Sequence, residues 1–250
     1  MKTTRTLGIS AVVAAFLIAG CSTVVEGRAM DDGKGCKISP TTMQCIFPSD
    51  IPTPTTTPST ATPKSHETVE GGVRVCDGDD CDLSDSPDEV SRLVSESLAD
   101  IVTMWARIQV PVSVEMYKGG IGNCDGNKPD ATAWVCSSTG RGGWNPVALR
   151  ARSVKENVAL DATVRSVMAH EVGHLVVAKY DATSTDFVTN ELRADCMAAG
   201  YSRWTTTTTN SAMGELPLHE MKRALPGDRR ARAIQAGYDG NPQKCLEYTP

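Results

Sequence analysis

No basic stripe and no arginine-rich arm runs through these 250 residues: 25 lysines and arginines stand against 30 aspartates and glutamates, a formal net charge of −5. Nucleic-acid binding needs a cationic surface and drops out as a leading function. The mild acidity serves solubility and names no partner. No Cys-x-x-Cys pair occurs among the nine cysteines, which argues against a cysteine-bound zinc. No internal repeat is visible. The apolar run from Leu7 to Ala19 is too short for a comfortable membrane span. Histidine is scarce, with four in the whole chain, so two of them in one short motif carry weight.

What is present starts at the N-terminus. Lys2 and Arg5 precede the apolar run, the layout of a secretory signal. The run ends Leu17-Ile18-Ala19-Gly20-Cys21, which resembles a bacterial lipobox, where small residues precede a cysteine that is lipidated after cleavage. An ordinary signal peptide with a nearby cysteine is the alternative. Acyl chains such as palmitate on Cys21 would anchor the chain, several chains being needed because one binds membranes only marginally. The expectation is an exported protein, lipid-anchored to the outer face of the bacterial cell membrane. Eight cysteines then remain, Cys36, Cys45, Cys76, Cys81, Cys124, Cys136, Cys196 and Cys245, enough for four disulfides in an oxidising compartment. Local spacing pairs Cys36 with Cys45, Cys76 with Cys81 and Cys124 with Cys136, which leaves Cys196 for Cys245; sequence alone leaves the connectivity open.

Composition divides the chain into a lipoprotein signal peptide (residues 1–20), a small Cys-containing segment (21–47), a Pro/Thr-rich spacer (48–66), an acidic turn-rich segment (67–86) and a folded domain (87–250). The spacer has almost nothing to bury and reads as extended, at about 3.1 Å per residue. In the domain, Ser86 or Asp85 with Pro87 signals a helix start, followed by helical spacing through Val90, Leu93, Val94, Leu98, Ile101 and Val102. QVPVSVEMY alternates like a strand, ATAWVC reads as a second, and GGWNPVAL as a third, at a sheet edge because of Pro146. Helices are expected over 160–179, 190–204 and 229–237, with the threonine run 205–209 a loop. A helix, a few strands and then helices make an α+β fold, a small sheet packed with helices and stapled by disulfides.

The run His170-Glu171-Val172-Gly173-His174 carries the chemistry. Histidines at i and i+4 share one helix face and can reach one metal, and a carboxylate beside the metal can take a proton from its water. At ~100° per residue, Leu160, Val164, Val167, Met168, Val172 and Leu175 share an apolar arc that also contains Glu171, with the two histidines at its edge. A carboxylate in an apolar stripe is costly unless paired, protonated or close to a cation. A catalytic zinc wants three protein ligands and an open position. Glu191 and Asp195 lie one turn apart on the next long helix, flanked by Ala194, Ala198 and Ala199, whose small side chains permit close approach. Glu191 is expected as third ligand and Asp195 as hydrogen-bond partner of a ligand histidine; on geometry alone the two roles are interchangeable.

HEVGH, followed after sixteen residues by ELRADCMAAGY, resembles the neutral zinc metallopeptidases of bacteria, within the gluzincin group. The resemblance implies a zinc (Zn2+) cofactor, Glu191 as ligand and Asp195 behind it. It extends over about residues 90–250 through Cys124, Trp134-Val135-Cys136, Arg230 or Arg232, Gly237-Tyr238, Gly240 and Cys245. The family often has His-Gly before its arginine helix, where this chain has Leu225-Pro226-Gly227-Asp228. His219, Tyr238 and Arg230 are therefore the candidates for polarising a carbonyl. The implied function is zinc-dependent hydrolysis of peptide or protein substrates, through a zinc-bound water with Glu171 as general base, the substrate lying extended along the GGWNPVAL edge. The alternatives are a catalytically inactive zinc-binding module and a disulfide-stapled surface lipoprotein in which HEVGH is incidental.

Overall fold

The computed structural model describes residues 37–38, 45–46, 72–120, 131–208 and 210–250. The expectations for the signal peptide, the lipidation of Cys21, the spacer, Cys36 and Cys124 fall outside these residues, as does the side chain of Cys45. Strands β1 (Lys37–Ile38) and β2 (Cys45–Ile46) form a short antiparallel pair. The chain continues through β3 (Val73–Cys76), α1 (Glu89–Arg107), β4 (Val114–Lys118), β5 (Ala133–Val135), β6 (Arg141–Trp144), α2 (Pro146–Glu156), α3 (Leu160–Lys179), α4 (Phe187–Thr207), α5 (Leu218–Ala224), α6 (Asp228–Asp239) and α7 (Pro242–Leu246). The fold is mixed α+β, as the order of patterns predicts. No helix among the described residues is long and apolar enough to cross a membrane.

The larger sheet has the order β3-β4-β6-β5, with β3, β4 and β6 parallel and β5 antiparallel to β6. Strand alternation sends Val75, Val114 and Met116 into the core. On the other face the register aligns Arg74, Glu115 and Arg141. Glu115 is held between the two guanidiniums, 2.9 Å from each. Two sequence expectations change here. β3 comes from the segment read as turn-rich, so the sheet begins before residue 87. β6 lies inside the sheet rather than at its edge and stops at Trp144. Asn145 then accepts from the N–H groups of Val147 and Ala148, and Pro146 opens α2 instead of sitting in a strand.

Two helix ends also differ from the sequence reading. Asp88, rather than Ser86 or Asp85, precedes the first turn of α1 and accepts from the Ser91 hydroxyl at 2.7 Å. The threonine run continues α4 instead of forming a loop: Thr205, Thr206 and Thr207 donate their hydroxyls to carbonyls of Ser202 and Arg203, one turn back. Asp186 starts α4 by accepting from the Thr189 N–H at 2.9 Å.

Helix α3 is the axis of the domain. Every residue from Ala162 to Val177 is buried, so the single apolar arc read from the sequence is in fact a helix covered all round. Helices α1, α2, α4 and α5 and strand β5 pack on it. A buried polar knot ties three helices to the loop before α5. Arg165 on α3 donates to the carbonyls of Met213, Gly214 and Glu215 and to the Tyr201 hydroxyl on α4. That hydroxyl donates to Asp100 on α1 at 2.6 Å, and Asp100 also accepts from the Ser211 hydroxyl and the Ala212 N–H. Disulfides join Cys76 to Cys81 and Cys196 to Cys245, the latter tying α7 to α4; Cys136 is also disulfide-bonded.

Candidate metal centre

Two glycines set how closely the site's helices approach. A Cβ on Gly173 of α3 would stand 2.5 Å from the Ala194 carbonyl oxygen of α4. A Cβ on Gly237 of α6 would overlap the Cys196 carbonyl of α4. Helices α3 and α6 therefore reach the α4 backbone on either side of Asp195. The close approach thus rests on the glycine inside HEVGH and the Gly of Gly-Tyr more than on the alanines of α4.

On α3, His170 and His174 turn their Nε2 atoms to within 3.2 Å of each other. Glu191 comes in from α4, with one oxygen 3.4 Å from each Nε2. One ligand atom from each of His170, His174 and Glu191 falls within 4.8 Å of the others, and all three residues are buried. The distances from Glu191 are long for hydrogen bonds, and both its oxygens lack a hydrogen-bond partner. Glu171, completely buried, also has both carboxylate oxygens unpartnered. Buried polar atoms are normally satisfied. Two imidazole nitrogens that have only each other, and a Glu191 carboxylate without a hydrogen bond beside them, fit a shared divalent cation. Two histidines and a glutamate, with a further position open, are a ligand set that suits Zn2+ and the geometry of a catalytic zinc site.

Behind the cluster, Asp195 is fully buried and lies 2.9 Å from His170 Nδ1. Burial alone would raise its carboxyl, but Arg230 and His170 hold it below the usual range. An ionised Asp195 only accepts, so it keeps a proton on Nδ1, and once the ring is neutral the lone pair is the one on Nε2, facing the cluster. Burial pushes His170 down, yet Asp195 and Glu191 outweigh it and bring the imidazole up to about 9. Glu191 is pulled the other way: burial raises it, and the two histidines hold it down, to about 2. For Glu171 burial dominates and the carboxyl is raised, with the two histidines opposing.

The three candidates for polarising a carbonyl are placed differently. Arg230 meets the cluster from behind: its Nε and Nη2 donate to Asp195 Oδ2 and Oδ1 at 2.7 and 2.8 Å. His219 is 72% exposed in its side chain and faces Glu220 at 3.2 Å. The Tyr238 hydroxyl is 2.9 Å from that of Thr206. Neither His219 nor Tyr238 has a hydrogen bond to the cluster among the described residues. The Asp195–Arg230 pair was not anticipated from sequence; the only signal was an arginine helix at the family-like position. No known protein family, curated protein or solved structure matches the chain.

Proposed function

We propose that this chain is a zinc-dependent peptidase of the neutral zinc metallopeptidase kind, exported and held at the outer face of a bacterial cell membrane by lipid on Cys21. One observation supports the peptidase reading above the rest: a fully buried glutamate without a hydrogen-bond partner stands on the same helix turn as two histidines converging on a third, glutamate ligand. A zinc centre explains all four side chains at once. The lipobox-like residues and the Pro/Thr spacer support the anchored placement, with residues 87–250 the catalytic domain and 48–66 its stalk.

His170, His174 and Glu191 would hold the zinc. Zinc, when bound, supplies Lewis acidity, lowering the pKa of a water toward about 7 and drawing charge from a carbonyl. Glu171 takes the proton from the attacking water and hands it to the leaving amine. Asp195 keeps His170 in the tautomer that offers Nε2. The substrate peptide lies extended beside α3 and pairs through its main chain with a sheet edge.

The test is elemental analysis of the purified, oxidised chain. Near one zinc per chain, lost in Glu191→Ala, and zinc-dependent cleavage within a diverse peptide library are the expected results. Failure to take up zinc from excess metal overturns the proposal. A chain that holds zinc but cleaves nothing is instead a zinc-binding surface module.

A further inference from the structure

Asp195 sits where three helices meet. His170 reaches it from α3, Arg230 from α6, and it projects from α4 between the two residues, Ala194 and Cys196, on which Gly173 and Gly237 rest. Its carboxylate is 0% exposed, so water cannot complete its hydrogen bonds. Oδ2 accepts from Arg230 Nε at 2.7 Å, and Oδ1 accepts from both Arg230 Nη2 at 2.8 Å and His170 Nδ1 at 2.9 Å. Arg230 Nη2 and His170 Nδ1 are 3.3 Å apart, the separation of two donors sharing one acceptor.

We infer that Arg230 is a positioning residue for the metal centre: its two-pronged grip fixes the plane of the Asp195 carboxylate, and through it the ring of His170. A carboxylate bonded only to His170 could rotate about its Cβ–Cγ bond and carry the imidazole with it. Two parallel N–H···O bonds from a planar guanidinium remove that freedom, and an ammonium group cannot reproduce them. The site thus extends one layer further than Asp195, to a residue sixty positions from the histidine it orients. This inference rests on the zinc reading above and assigns Arg230 a different task from polarising a carbonyl.

The test uses the full chain, purified in detergent with its disulfides intact, as wild type, Arg230→Lys and Arg230→Met. Zinc affinity is measured by competition with a chromogenic chelator, and ligand geometry by the visible absorption of the cobalt(II)-substituted protein. Arg230→Met removes the partner of a buried carboxylate and can lower stability; Arg230→Lys keeps the charge and serves as the folded comparison, checked by the melting temperature of its metal-free form. The expected result is zinc affinity about 10–100-fold weaker in Arg230→Lys, the range found when a ligand's hydrogen-bond partner is disturbed, with an altered cobalt spectrum. Arg230→Lys with wild-type zinc affinity and an unchanged cobalt spectrum overturns the inference and leaves the zinc reading intact. A wild-type chain that binds no metal overturns both.

Discussion

Gly173 rests directly on the backbone of Ala194, so close that the smallest side chain at 173 would meet the Ala194 carbonyl at 2.5 Å. This contact sets the spacing between the helix that carries both histidines and the helix that carries Glu191. Gly173→Ala must push α3 and α4 apart. Overpacking of this kind costs about 1–3 kcal/mol, and the separation weakens zinc binding by pulling the ligands away from one another. Urea denaturation of the metal-free protein and chelator competition measure the two effects. Wild-type values in both would show that the helices have room to spare.

In the proposed mechanism Glu171 is the base and not a ligand. Glu171→Gln removes the base and keeps the shape. Hydrolysis should fall by about 10²–10⁴-fold, while the zinc content stays near one per chain. Assays of both on the same preparation decide it; a variant with full activity would remove Glu171 from the mechanism.

The pH dependence follows from His170. In the metal-free protein its imidazole is raised to about 9 by Asp195 and Glu191, overcoming burial. A group whose folded pKa lies above its ordinary value contributes stability that is complete below about 6.5 and is lost as pH rises through about 9. Zinc needs the neutral ring, so binding below pH 9 expels that proton, and affinity climbs toward tenfold per pH unit. Calorimetric titration at pH 7.5, in buffers of different ionisation enthalpy, should count close to one proton released from His170 per zinc bound. Zinc uptake with no proton release would contradict the assignment.

The site was more legible in the sequence than the fold around it. His170, Glu171 and His174 announce themselves because scarce residues recur at helical spacing, and Glu191 and Asp195 because carboxylates one turn apart are flanked by alanines. What escaped was long-range. Nothing near Arg230 shows that its partner is Asp195, since the bond depends on how α6 lies across α4. The same limit hid β3: Val73–Cys76 is short and followed by aspartates and glycine, and only pairing with β4 makes it a strand. Thr205–Thr207 look like loop residues because threonine is a weak helix former, yet each hydroxyl finds a carbonyl one turn back. Pro146 misled for the opposite reason. In sequence it stands at the end of a strand pattern, whereas Asn145 before it is the cap of a helix.

The knot of Arg165, Tyr201 and Asp100 has a meaning for the lifetime of such a molecule among peptidases. A peptidase cuts backbone that can be drawn out into its cleft, and exposed loops between helices are where nicking concentrates. In the stretch from Ser211 to Glu215 the carbonyls of three consecutive residues are held by one buried guanidinium, and the Ala212 N–H by a buried carboxylate. Pulling that stretch straight would strip two interior charges of their partners together. The loop is therefore held against nicking: any peptidase that reached it would find a backbone already engaged from within.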